Sequence, residues 1–160
     1  MMNDFFKLVI SIGVCQGAGI LGSIFVAPMI DTWYEGLVKP VFSPPSWVFG
    51  PVWVTLYTLM GISLYLVWRS RKASEGECNV CESMSLFLLQ LALNVLWTYL
   101  FFWLQEPLVA FIEIVLLLCV VLLTIWRFWY SSKVAAYLLI PYAVWIVFAA
   151  VLNFSIWQLN

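Results

Sequence analysis

Long apolar runs separated by brief charged stretches organise this chain. No charged residue occurs in 8–30, 40–68 or 83–105, the run 107–126 contains only Glu113, and none follows Lys133. Each run reaches the roughly 20 residues that a helix needs to cross the hydrocarbon of a bilayer. The pattern predicts five helices, near 5–28, 45–68, 83–104, 107–129 and 134–157. None of the runs alternates strictly between apolar and polar positions, which argues against a membrane β-barrel. The first run is too long for a signal-peptide core and reads as a retained helix. The expected fold is an all-α integral membrane bundle, one domain over 1–160.

The connections are short, so helices consecutive in sequence are expected to pack as antiparallel neighbours. The first connection, 29–43, is aromatic for a loop and should fold back on the bundle. Pro44 and Pro45 suit the first turn of the second helix, with Ser43 as its N-cap. The second connection, 69–82, is the most polar part of the chain.

Composition narrows the function classes. Hydrophobic residues make up 65% and charged residues 9%, against roughly half and about a quarter in soluble domains. That excludes a soluble enzyme and a disordered chain. A net charge of −1 gives no electrostatic case for nucleic acid. There is no His, which removes His general-base chemistry and His-ligated haem. Lys and Arg are distributed unevenly. Lys7, Arg69, Arg71, Lys72, Arg127 and Lys133 share one side of a five-span topology, and Lys39 stands alone on the other. The positive-inside rule puts the N-terminus in the cytoplasm, although Glu75 and Glu77 weaken the bias of the second loop.

Among the 10 Trp, those near predicted helix ends (Trp33, Trp47, Trp68, Trp103, Trp126, Trp129 and Trp157) fit the interfacial belt. Trp53, Trp97 and Trp145 lie deeper, where an indole N–H wants an acceptor. Helical spacing groups Trp53 with Tyr57. It also groups Asn94 with Trp97, Thr98 and Phe101, and Pro141 with Trp145, Ala149 and Asn153. Amides facing lipid are costly, so these faces should point inward. They serve either as bonds between helices or as the wall of an aromatic cavity for a flat hydrophobic ligand. Pro51 and Pro141 should bend their helices.

Three further features carry open alternatives. Glu113, an acid inside a span, either reaches the interface by snorkelling, bonds another helix, or has a functional role. Cys78 and Cys81 form one CxxC, two ligands where a structural zinc wants four. Gly13-x-x-x-Gly17, with Gly19 and Gly22, is a smooth face for a homodimer or for packing inside the bundle. No Walker motif, nucleophile elbow or paired carboxylates occur.

Three blocks resemble the TspO/MBR family (translocator protein, tryptophan-rich sensory protein, peripheral-type benzodiazepine receptor). The first runs from Trp33-Tyr34-x-x-Leu37-x-Lys39-Pro40 through Pro44-Pro45-x-Trp47 to Gly50-Pro51-Val52-Trp53-x-x-Leu56-Tyr57. The second is Gln90-Leu91-Ala92-Leu93-Asn94 with Phe101-Phe102. The third is Pro141-Tyr142-x-x-Trp145 with Phe148-Ala149 and Leu152-Asn153. The resemblance implies a five-helix bundle, usually dimeric, whose pocket is capped by the first loop. It implies binding of porphyrins such as protoporphyrin IX, or of sterol-like and synthetic aromatic ligands. Carried over by motif, the ligand-binding residues are Tyr34, Trp53, Asn94, Trp145 and Ala149, and Glu113 falls where the family tends to carry an acid. Lys39 would pair with a porphyrin propionate at the mouth.

The implied function is that of a receptor or carrier in tetrapyrrole handling, with porphyrin as ligand, membrane lipid as surroundings, no obligatory cofactor and no metal site. One alternative is light-dependent porphyrin degradation through Trp53 and Trp145, and another is a sterol-binding or ligand-free scaffold. The proposed cholesterol pattern of animal members is broken here by Phe154 and Gln158. Enlarging Ala149 should hurt ligand binding, and enlarging Ala150, about 100° round the helix, should matter much less.

Overall fold

A computed structural model describes residues 3–70 and 77–160, the side chains of 77–81 excepted. Five helices account for the described chain: α1 (Asp4–Met29), α2 (Ser46–Ser70), α3 (Glu77–Thr98), α4 (Pro107–Ser131) and α5 (Lys133–Leu159). No strand occurs among the described residues. All five are long and apolar enough to cross a membrane. Their outward faces carry exposed apolar side chains such as Phe6, Leu21, Ile112, Leu122 and Val144. Only lipid gives such faces a favourable solvent, which makes the chain a multi-pass membrane protein.

Helix starts follow local chemistry. The Asn3 side chain accepts from Phe5 N at the head of α1. Pro107 opens α4, where its missing N–H costs nothing. Ser132 caps α5 by accepting from Ala135 N at 3.3 Å. The start of α2 departs from expectation. Pro44 and Pro45 precede the helix, which begins at Ser46, and Ser43 is drawn instead into a turn in which its N–H donates to the Pro40 carbonyl at 2.9 Å.

Two features lay outside the reach of hydrophobic patterning. α1 runs on through a π-helical turn at Ile30–Tyr34, so the expected loop 29–43 is in its first part helix. α3 likewise ends in a π-helical turn, Tyr99–Trp103. These wider turns shift the side-chain register by one position and are often found at functional sites.

Helix neighbours correct the simple up-and-down expectation. α1 packs on α2 and α3, α2 on α1 and α5, and α4 on α3 and α5, so the order around the bundle is α1, α2, α5, α4, α3. Consecutive α2 and α3 touch only lightly, and α3 packs against α1 and α4 instead. Small residues set the approach of the helices. A Cβ at Gly61 would lie 2.6 Å from Ile12 Cα, and one at Gly19 would lie 2.6 Å from the Tyr57 ring. The buried side chains form one contiguous cluster drawn from all five helices. At the end away from the π turns, Phe87 and Phe128 stack at 5.8 Å, and Arg127 pairs with Glu82 at 3.2 Å.

Candidate ligand-binding site

A cavity of about 480 Å³ lies between α1, α2, α3 and α5, roofed by the two π turns. That volume falls within the range usual for small-molecule sites. Its wall is largely aromatic. Trp53 stacks on Tyr57 with ring centres 5.5 Å apart, and Trp145 stands perpendicular to Trp53 at 6.5 Å. Phe49 meets Trp145 edge-on at 6.1 Å. Across the cavity, Trp97 stacks on Phe101 at 5.4 Å. Tyr34 closes the top, buried against Phe49, Phe101 and Phe102. Flat faces and edges at these separations suit a flat, apolar, polarisable ligand.

Four of the five residues expected at the site, Tyr34, Trp53, Trp145 and Ala149, line this cavity. Asn94 takes a place behind the wall. Tyr57 donates its hydroxyl hydrogen to Asn94 Oδ1, and Asn94 Nδ2 donates to the Tyr142 hydroxyl at 3.1 Å. The amide therefore holds Tyr57, and through it the stacked Trp53, at a fixed angle. Asn153 does both things that the sequence left open. It lines the cavity, accepts from Trp97 Nε1 at 3.2 Å and donates to the Pro107 carbonyl at 2.7 Å. The Trp53 and Trp145 rings both line the cavity, whereas the Trp97 indole N–H is taken up by Asn153.

Other residues stand elsewhere than expected. Glu113 does not snorkel. It is buried between α4 and its neighbours, with neither carboxyl oxygen hydrogen-bonded, and it is not part of the cavity wall. Lys39 lies over the outer side of Tyr34, its ammonium 4.6 Å from the ring centre. Ala150, expected to be the indifferent neighbour of Ala149, is itself packed in the bundle core. The side chains of Cys78 and Cys81, and Arg71, Lys72 and Glu75, lie outside the described residues. No group of three or more potential metal ligands occurs among the described residues.

Sequence reading missed the share of α1 in this wall. Gln16, Gly19, Gly22, Ser23, Val26 and Ala27 all face the cavity. Gln16 also donates to Thr58 Oγ1 at 2.9 Å and to the Val54 carbonyl at 3.0 Å, tying α1 to α2. The available signal was the recurrence of small residues at 19, 23 and 27, one helical turn apart. Gly13 and Gly17, by contrast, have open space beside them.

Comparison with known proteins accords with this architecture. The profile of the TspO/MBR family matches residues 11–158. The chain is 45% identical over 157 residues to the "Tryptophan-rich protein TspO" of Archaeoglobus fulgidus, covering 98% of this chain and 99% of that protein. It is 37% identical over 142 residues to the "Translocator protein" of Ovis aries, covering 89% and 83%. It is 31% identical over 159 residues to the "Tryptophan-rich sensory protein" of Cereibacter sphaeroides, covering 99% and 95%.

Proposed function

The chain belongs to the TspO/MBR family, and on that premise we propose that it is a membrane receptor or carrier for porphyrins and related flat hydrophobic ligands. The observation that carries the proposal is the aromatic cavity itself, in which Trp53 and Trp145 stand at right angles and close two sides of one space. A macrocycle lying against one indole meets the edge of the other. Burial of its apolar surface supplies the affinity, and the Trp53–Tyr57–Asn94–Tyr142 chain keeps the wall preorganised, which lowers the cost of binding. The proposal includes a cytoplasmic N-terminus. It also includes a homodimer through the Gly13 and Gly17 face, supported by the open space on that side of α1.

Titration of the purified protein with protoporphyrin IX, read by quenching of tryptophan fluorescence, tests the assignment. Saturable binding is expected. Ala149 lines the cavity beside Trp145, so Ala149→Phe fills ligand space. Overpacking of this kind costs about 1–3 kcal/mol, or roughly tenfold in affinity. The matched control is Val151→Phe, since Val151 faces outward. Equal affinity in Ala149→Phe, Val151→Phe and wild type would remove the cavity as the binding site.

A further inference from the structure

The cavity is not closed on every side. Its lining residues from α3, the second π turn and α5 are buried or half-buried, and the exposed ones all belong to α1 and α2. Ile20, Ser23 and Ala27 stand exposed on α1, and Trp47, Gly50 and Val54 on α2. Side chains that line an internal space and also reach the outer surface mark its opening. A Cβ added at Gly50 would meet nothing within 4 Å, as a rim position requires. Both rims belong to segments long and apolar enough to cross a membrane, Asp4–Tyr34 and Ser46–Ser70, so the opening faces lipid. From Trp47 to Val54 it follows about 10 Å of helix.

Packing explains why the two helices part here. Away from the roof, Gly61 lets α1 and α2 approach to backbone contact at Ile12. Gln16 then ties them, donating to the Val54 carbonyl at 3.0 Å and to Thr58 Oγ1 at 2.9 Å. Nearer the roof the rims carry small residues, Ser23 and Ala27 on α1 and Ser46 and Gly50 on α2, so little side chain fills the gap. Pro51 offers no N–H to the Trp47 carbonyl, which leaves this turn of α2 one backbone bond short. The roof, by contrast, is shut. Tyr34, Phe101 and Phe102 are buried beneath it. The strap 37–45 is clasped to the end of α5, where the Asn160 side chain accepts from Val38 N at 3.0 Å and donates to the Val38 carbonyl at 3.1 Å. The Phe42 ring of the strap rests on Phe148 at 6.3 Å.

We infer that the gap between α1 and α2 is a lateral portal, through which an apolar ligand exchanges between the cavity and the surrounding lipid. The inference rests on the proposed binding cavity and deepens it, because it sets the ligand class as molecules that partition into the bilayer. The hydrophobic effect already places such a molecule in the membrane. A side entrance spares it a return to water on the way to Trp53 and Trp145. A homodimer through Gly13 and Gly17 is compatible with the portal, since Ser23 lies about 80–120° round α1 from those two positions.

The test reads the dissociation rate. Protein in phosphatidylcholine nanodiscs is loaded with protoporphyrin IX and mixed with excess phosphatidylcholine vesicles, and recovery of tryptophan fluorescence reports the loss. Ser23→Phe and Gly50→Phe each put a ring in the portal, the first from an exposed position and the second into open space. Both variants should slow association and dissociation together, by roughly tenfold or more. A change that only spoils the wall weakens binding and speeds dissociation, as Ala149→Phe should. Asn160→Ala releases the strap and should leave both rates unchanged. Melting curves identify a variant that has lost its fold, and the two rim positions stand on different helices. Unchanged or faster dissociation in the folded rim variants would overturn the portal and leave the cavity standing. Faster exchange in Asn160→Ala would also overturn it, since the ligand would then pass beneath the strap. Absence of binding by wild type would remove the proposed function and the portal with it.

Discussion

Glu113 occupies the buried face of α4 beside Ile114 and Leu117, with both carboxyl oxygens unpaired. A buried polar group that lacks partners typically costs about 1–3 kcal/mol relative to an apolar group of the same shape. Glu113→Met should therefore stabilise the bundle by about that amount, since Met adapts to irregular space. Thermal unfolding in detergent checks this. A lower melting temperature would mean that the carboxyl has a partner of its own. Asn94 makes the opposite case. Its amide serves two tyrosines at once, and nothing local to its sequence distinguishes it from any other amide inside a span.

At the scale of helices, glycine positions separate two kinds of surface that a spacing pattern treats alike. Gly61 lies against the backbone of Ile12, so Gly61→Ala must push α1 and α2 apart, at about 1–3 kcal/mol. Gly13 has nothing beside it within the chain, and Gly13→Ala, measured on the monomeric protein in detergent, should gain up to about 1 kcal/mol from helix propensity. Opposite shifts in melting temperature for these two variants are the expected result. Two shifts of the same sign would show that the α1–α2 contact is not set as described. Four of the five helix starts were legible to within one residue, because hydrocarbon demands an uninterrupted apolar run of fixed length, whereas α3 begins at Glu77, six residues before the expected 83, in a polar stretch that hydropathy does not mark. The last turns of α1 and α3 were not legible. The π turns at Ile30–Tyr34 and Tyr99–Trp103 carry Tyr34, Phe101 and Phe102 to the cavity roof. A periodicity of 3.6 residues has no term for them.

Across the whole molecule, five crossings put the two chain ends on opposite sides of the membrane. The asymmetry of six Lys and Arg against one favours a cytoplasmic N-terminus. A reporter fused after Asn160 should therefore be active outside the cytoplasm, and activity of a cytoplasmic reporter at that position would reverse the orientation.

Sequence alone was enough for the membrane class, the five spans, and the grouping of Trp53 with Tyr57 and of Trp145 with Ala149. Each of these depends on solvent or on neighbours one turn away, and both are written locally along the chain. Only the tertiary structure decided the order of helices around the bundle, the contribution of α1 to the cavity, and the retreat of Asn94 behind its wall. The clasp of Asn160 on Val38 is of the same kind, joining residues 122 positions apart. Such pairings depend on which helix lies beside which. In lipid, every outward apolar face is equally satisfied, so hydrophobicity cannot choose among neighbours, and close packing and a few interhelical hydrogen bonds do.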